Sequence, residues 1–192
     1  MGTKISDLTA LTGANSATGD LFVVVDVSAG TSGTVKMTRA ELEIAIRNAA
    51  IAARPVSLAA TSLSVTSALH ESRIVVLNHT GAASTATLPA ATGSGAVYRF
   101  VVGAVNTSNH VVAANGTDTL KGVVTMLDND STAATAYSAS GTDDKITLNG
   151  TTTGGQIGDW LEFVDIASAV FAVKGALVVP AGSNIADPFS AT

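Results

Sequence analysis

Short apolar runs separated by Gly, Asn, Asp and Ser set the rhythm of this chain. From residue 56 onward eleven such runs recur, at 56–58, 63–65, 73–77, 85–88, 97–102, 110–113, 120–126, 134–137, 145–148, 159–164 and 170–173. Each is the length of a strand, and turn-forming residues bound it. Many short strands at roughly 8–12-residue spacing predict an antiparallel β-sandwich or a jelly-roll-like domain. The stretch after Leu177 is apolar but rich in turn formers, and is expected to lie on its own sheet or on a neighbour.

The first quarter reads differently. An apolar run at 21–27, a Gly/Ser turn at 29–33 and a second run at 35–37 form a hairpin pattern. Thr38-Arg39-Ala40-Glu41 then makes a capping box, in which the Thr38 hydroxyl accepts from the Glu41 amide and the Glu41 side chain reaches back. The helix it opens runs to about residue 53, with Leu42, Ala45, Ile46 and Ala49 on one face. Ile44 and Ile51 fall elsewhere, seven residues apart. They either touch the following domain or meet a symmetry mate, so Leu42, Ile44, Ile46 and Ile51 are the candidate interface residues. Arg54-Pro55 stops the helix, because the residue before proline is driven out of the helical region. The predicted domains are therefore 1–54, a hairpin plus helix, and 55–192, a β-domain.

An internal echo links two parts of the β-domain. Thr87-Leu88 leads through Gly93 and Gly95 to Tyr98-Arg99-Phe100-Val101; Thr147-Leu148 leads through Gly150, Gly154 and Gly155 to Trp160-Leu161-Glu162-Phe163-Val164. Both read as strand, glycine loop, aromatic strand. They are two related halves of one sandwich or the general grammar of β-proteins.

Composition narrows the function classes. Apolar residues make up 46% of the 192 residues, enough for a core, while charged residues are only 13%, about half the usual share. Thr, Ser, Ala and Gly take their place, giving neutral polar surfaces suited to packing against copies of the chain. Net charge is −5 and the ten basic residues form no cluster, so neither a nucleic-acid partner nor an anionic membrane is expected. Without cysteine there are no disulfides or thiolate metal sites. The opening Met-Gly-Thr-Lys-Ile-Ser-Asp carries no apolar signal core, so no secretory leader is expected. No apolar run approaches the roughly 18 residues of a spanning helix.

Candidate chemistry is sparse. His70, His79 and His110 lack the spacing of a zinc site, and no G-x-S-x-G elbow or phosphate loop occurs. Gly93-Ser94-Gly95 and Gly30-Thr31-Ser32-Gly33 read as turns. Asp128-Asn129-Asp130 and Asp143-Asp144 offer oxygen ligands for calcium, but the loop spacing with a distal Glu is missing, and Asp and Asn favour turns on their own account. The five Asn-x-Ser/Thr sequons, at Asn78, Asn106, Asn115, Asn129 and Asn149, read as turns too. Trp160, the single tryptophan, sits in a predicted strand and is expected in the core, which counts against a sugar-stacking platform. No catalytic residue, cofactor or metal is expected, and the chain is read as a non-enzyme.

The N-terminal phrase carries a resemblance. Lys4-Ile5-Ser6-Asp7-Leu8, then Gly19-Asp20-Leu21 with a Val-rich run ending at Asp26, then Thr38-Arg39-Ala40-Glu41-Leu42 resembles the attachment module at the N-terminus of bacteriophage fibre, spike and head-associated proteins. The remainder, with Leu88-Pro89-Ala90-Ala91-Thr92-Gly93 and Ile146-Thr147-Leu148-Asn149-Gly150, is similar to the Thr/Ala/Gly-rich β-domains of phage head decoration and fibre proteins. The resemblance implies a virion structural protein on the outer surface of the capsid: a decoration (cement) protein or short head fibre, a homotrimer bound to the major capsid protein. The alternative it implies is a tail fibre or tail adaptor that takes part in receptor binding.

Overall fold

The computed structural model describes residues 21–26, 33–38, 54–131 and 133–192. The chain divides into two compact units, Met1–Ala52 and Ala53–Thr192. In the first, β1 (Leu21–Asp26) and β2 (Gly33–Thr38) pair antiparallel from Leu21↔Thr38 to Asp26↔Gly33. This is the hairpin that the two apolar runs predict. The helix opened by the capping box, with Leu42, Ile44, Ile46 and Ile51, lies outside the described residues.

The second unit is mainly β. Its elements are β3 (Val56–Leu58), β4 (Ser62–Ser64), the four-residue helix α1 (Ser67–His70), β5 (Ile74–Leu77), β6 (Ser84–Thr87), β7 (Val97–Val102) and β8 (His110–Ala113). There follow β9 (Thr119–Asp128), β10 (Ala134–Ser138), β11 (Lys145–Leu148), β12 (Trp160–Ala167), β13 (Val170–Val179) and β14 (Phe189–Ser190). All eleven predicted runs are strands. Alternation drives this: β7, β8, β11 and β12 each bury every second residue, the two-residue period of a strand with one face in a core.

The strands form a seven-stranded sheet, β10-β9-β13-β12-β7-β5-β3, and a five-stranded sheet, β14-β11-β8-β6-β4. Their inward residues share one core. Tyr98, Phe100, Phe163, Phe171 and Leu177 come from the large sheet, and Ala86, Val112, Ile146 and Leu148 from the small one. Tyr98 meets Phe171, and Phe100 meets Phe163, edge to face at centroid distances of 6.3 and 5.6 Å.

Strand direction departs from the expected antiparallel arrangement: both sheets are mixed. β3, β5 and β7 run parallel to one another in one sheet, and β4, β6 and β8 do so in the other. β9 also runs parallel to β13. The cause is the path of the chain, which alternates between sheets from β3 to β9. A parallel neighbour needs a crossover, usually a helix; here the crossover is a strand in the opposite sheet. Short connections suggest hairpins, but these loops turn a corner between sheets.

β13 corrects a second boundary. It continues through Lys174-Gly175 to Val179 rather than ending at Val173. Glycine normally weakens a strand interior, but at 175 a Cβ would stand 2.5 Å from the Trp160 carbonyl oxygen. The gap left by a missing side chain is what lets β12 and β13 approach there.

Candidate interaction surface

The polar residues of the sequence serve mostly to fasten loops. The two echoing segments become two crossovers from the small sheet to the large one, β6 to β7 and β11 to β12, with β7 and β12 adjacent and antiparallel. A carboxylate near each end of β12 holds one crossover loop. Asp165 accepts from the amides of Thr92, Gly93 and Ser94 and from the hydroxyls of Thr92 and Ser94, at 2.6–3.1 Å. Burial opposes its charge, but the Ser94 hydroxyl and the Thr92, Gly93 and Ser94 amides win, holding its carboxyl well below the usual range. Asp159 accepts from the amides of Gly155, Gln156 and Val178. There burial prevails over the amides of Gly155, Val178 and Gln156, and pushes its carboxyl up.

The other polar candidates resolve the same way. Asn149 Oδ1 accepts from the amides of Thr151, Thr152 and Thr153, and buried Asn106 ties Ala82, Ser108 and Asn109 together. Asp128 accepts from the Asp130 amide, Asp143 from Ser140, and Asp144 from Thr192. Apart from the Asn106–Ala82 and Asp144–Thr192 bonds, which join distant segments, these are the local side-chain-to-backbone bonds that make Asp and Asn turn formers. Among the described residues, no three His, Asp or Glu side chains gather in a way that would hold a metal ion.

One pair has the residue types of nucleophilic catalysis. Ser84 Oγ lies 2.7 Å from His110 Nδ1, a juxtaposition that sequence separation concealed. Both residues are wholly buried, and His110 Nε2 donates to the Ala104 carbonyl at 2.9 Å. A substrate has no route to that oxygen, so the pair joins β6 to β8 inside the core. Desolvation lowers the His110 pKa below 6.5, so the neutral ring is favoured. His70 accepts the Thr66 amide in the turn of α1, and His79 Nδ1 donates to the Ala59 carbonyl.

The distinctive feature is the outward face of the large sheet. Strand register arranges it in rows. One row is Val76–Val101–Trp160–Ala176–Thr125, the next Ile74–Arg99–Glu162–Lys174–Val123, and the third Val97–Val164–Ala172–Lys121. Trp160 is 41% exposed, Val123 46% and Ile74 40%, with Ile166 beyond the end of the rows at 53%. Trp160 is therefore not in the core. The predicted strand is right, but Leu161 and Phe163 take the inward positions, and the two-residue period turns Trp160 outward.

Charge is concentrated in the middle row of this face; in the third row Lys121 donates from its Nζ to the Ser140 and Gly141 carbonyls. Glu162 accepts from Arg99 Nε at 2.7 Å and from Lys174 Nζ at 2.9 Å. The Lys174 and Arg99 bonds lower its carboxyl pKa. Between β12 and β13 lies a shallow hollow of about 250 Å³, lined by Glu162, Val164, Ile166, Ala172, Val173 and Lys174. The surface has the make-up of a protein–protein interface core: aromatic and aliphatic groups, an arginine, and little charge.

No family model, curated protein or solved structure matches this chain. Function is therefore read from the chain's own surfaces. Sequence inspection named Leu42, Ile44, Ile46 and Ile51, which fall outside the described residues, and missed the face around Trp160 and Val164. Alternation in β12 marked which residues share a face, but not which face the core would claim.

Proposed function

We propose that this protein is a structural subunit of a bacteriophage particle, a capsid decoration protein or short head fibre that acts through protein–protein interfaces. The observation that carries the reading is the apolar outward face of the seven-stranded sheet. Contiguous exposed apolar rows on a domain that already has a complete core mark a surface meant to be covered. The low charge, the loop-fastening use of Asp and Asn, and the N-terminal resemblance support the same reading. On it, the N-terminal unit docks on the major capsid protein, and a homotrimer occupies three-fold positions of the lattice. Burial at roughly 25 cal/mol per Å² over many copies then stiffens the shell.

Mass spectrometry and stained gels of purified particles test this. Hundreds of copies per particle, with cryo-electron microscopy density on the head, are expected. Absence from purified particles rejects the reading.

One observation favours a second reading, the tail fibre or adaptor. Exposed Trp160 is an aromatic platform of the type on which sugar rings stack. Density at the tail, a few dozen copies or fewer, and loss of adsorption to host cells on Trp160→Ala would select it.

A further inference from the structure

The outward face of the large sheet has a property beyond being apolar: its charges alternate in sign at the spacing of the strands. Arg99 on β7, Glu162 on β12 and Lys174 on β13 occupy one row, positive, negative, positive. Neighbouring strands stand about 4.8 Å apart. A two-fold axis lying in the face, along the strands and midway between β12 and β13, exchanges the positions of those two strands. It sets Glu162 of one copy over the partner's Lys174, and Lys174 over the partner's Glu162.

The same operation matches shapes in the adjoining rows. Trp160 is paired across the strands with Ala176, and Val164 with Ala172. The axis therefore sets Trp160 over the partner's Ala176 and Val164 over the partner's Ala172, a large group over a small one each time. The apolar hollow between β12 and β13 lies on the axis itself. Both copies keep their strands running the same way, so the sheets meet in the aligned packing usual for sandwiches, about 30° apart.

From these matches we propose that the outward face of the large sheet, centred on β12 and β13, pairs with the same face of a second copy, in a two-fold, isologous contact. This deepens the interface reading of that surface by naming its occupant. Area agrees. Each strand residue covers about 16 Å² of sheet plane, so the six strands that overlap about this axis, β10 through β5, present a face of roughly 700 Å². A standard stable interface takes about 800 Å² per partner. Trp160 at the border of the charged row is the aromatic anchor around which such contacts concentrate their energy. Arg99, Glu162 and Lys174 enter already paired within the chain, and Lys121 enters with its Nζ bonded to the Ser140 and Gly141 carbonyls.

The test uses the full chain in analytical ultracentrifugation and light scattering. Wild type is expected at an even multiple of the 19.1 kDa chain mass: two, or six where a three-fold contact adds to the pairing. Lys174→Glu sets like charges across the axis and is expected to weaken pairing at least about tenfold, halving the mass at working concentration. The same change disturbs Glu162 within the chain, so a second variant guards against misfolding. Arg99→Glu, Glu162→Lys and Lys174→Glu together invert the row, keep its internal pairs and restore the wild-type mass. Mixed with wild type, this inverted protein forms no mixed species. The single tryptophan gives an independent readout: Trp160 emission moves to the red on dilution as pairs part.

A monomer or trimer whose mass is indifferent to these changes overturns the pairing, as does emission that ignores dilution. The two proposals fail separately. An unpaired chain that still sits on particles defeats only this one, and a paired chain absent from particles defeats only the virion reading.

Discussion

The outward faces of the two sheets are built from the same fold by the same alternation, yet they differ in kind. On the small sheet the rows read Ser62–Thr85–Val111–Thr147 and Ser64–Thr87–Ala113–Lys145–Ser190. Hydroxyls dominate, and the side chains satisfy water on one side while the strands bury Ala86, Val112, Ile146 and Leu148 on the other. On the large sheet, valine, isoleucine and tryptophan take the positions that threonine and serine hold opposite. β-propensity asks only for β-branched or aromatic residues and is met by both sets. The choice of Val and Trp over Thr is therefore not required by the strand. It concerns what lies beyond it, and it separates a face finished by solvent from one finished by protein.

The largest expected effect sharpens the contrast within a single strand. Phe163 and Trp160 both belong to β12, but Phe163 is fully buried between the sheets and Trp160 faces outward. Phe163→Ala should cost about 4 kcal/mol in urea unfolding, through lost transfer energy and a residual cavity. Trp160→Ala should cost the isolated subunit about 1 kcal/mol or less, because water already reaches its ring. Equal losses would mean that the outer face belongs to the core of the single chain.

Next in size is the fastening of the crossover loop. Asp165→Ala strips the acceptor from three amides and two hydroxyls, and we expect a loss of about 3 kcal/mol at neutral pH. Since the folded carboxyl sits below its unfolded value of 3.8, its contribution is full above that pH and fades as acid protonates it. The wild type should therefore lose part of its stability below about pH 4, and the variant should lack that part of the acid response. Thermal unfolding across pH 3–7 checks both statements.

A smaller acid response comes earlier. His110 has a folded pKa below 6.5, so its stabilising influence is present above pH 6.5 and is lost as pH falls through the folded value. A second proton on the ring has no acceptor at Nδ1 other than the Ser84 oxygen, which the neutral ring now holds as a donor. His110→Asn should flatten the stability curve below pH 6.5, read by thermal unfolding across that range. An unchanged curve would show that burial leaves the ring free to charge.

Much of this fold was legible from residue order. Eleven runs with the right period yield eleven strands, because alternation is a local property and a shared core enforces it. Strand direction was not, because parallel and antiparallel neighbours alternate alike; only the corner turned after β3, β5 and β7 decides it. The charged row had a faint signal: Arg99 and Glu162 hold the same position in the two echoing segments, each just before a Phe-Val pair. Their contact needs the antiparallel register of β7 and β12, which no spacing in the sequence states. Ser84 and His110 meet through a parallel ladder and were equally hidden.

The smallest expected effect tests the comparison from its quiet side. Thr147 sits on the outward face of the small sheet, partly exposed, across from Val111. Thr147→Lys adds a long charged side chain that water can solvate, so stability should change by no more than about 0.5 kcal/mol. If only the large sheet's face meets another copy, the sedimenting mass should also stay as in wild type. The equivalent change on the large sheet, Val164→Lys, places a charge over the partner's Ala172 and should part the copies while sparing the fold. A fall in mass with Thr147→Lys would show that hydroxyl-rich rows also seat protein, and the division between a solvent-finished and a protein-finished face would not hold.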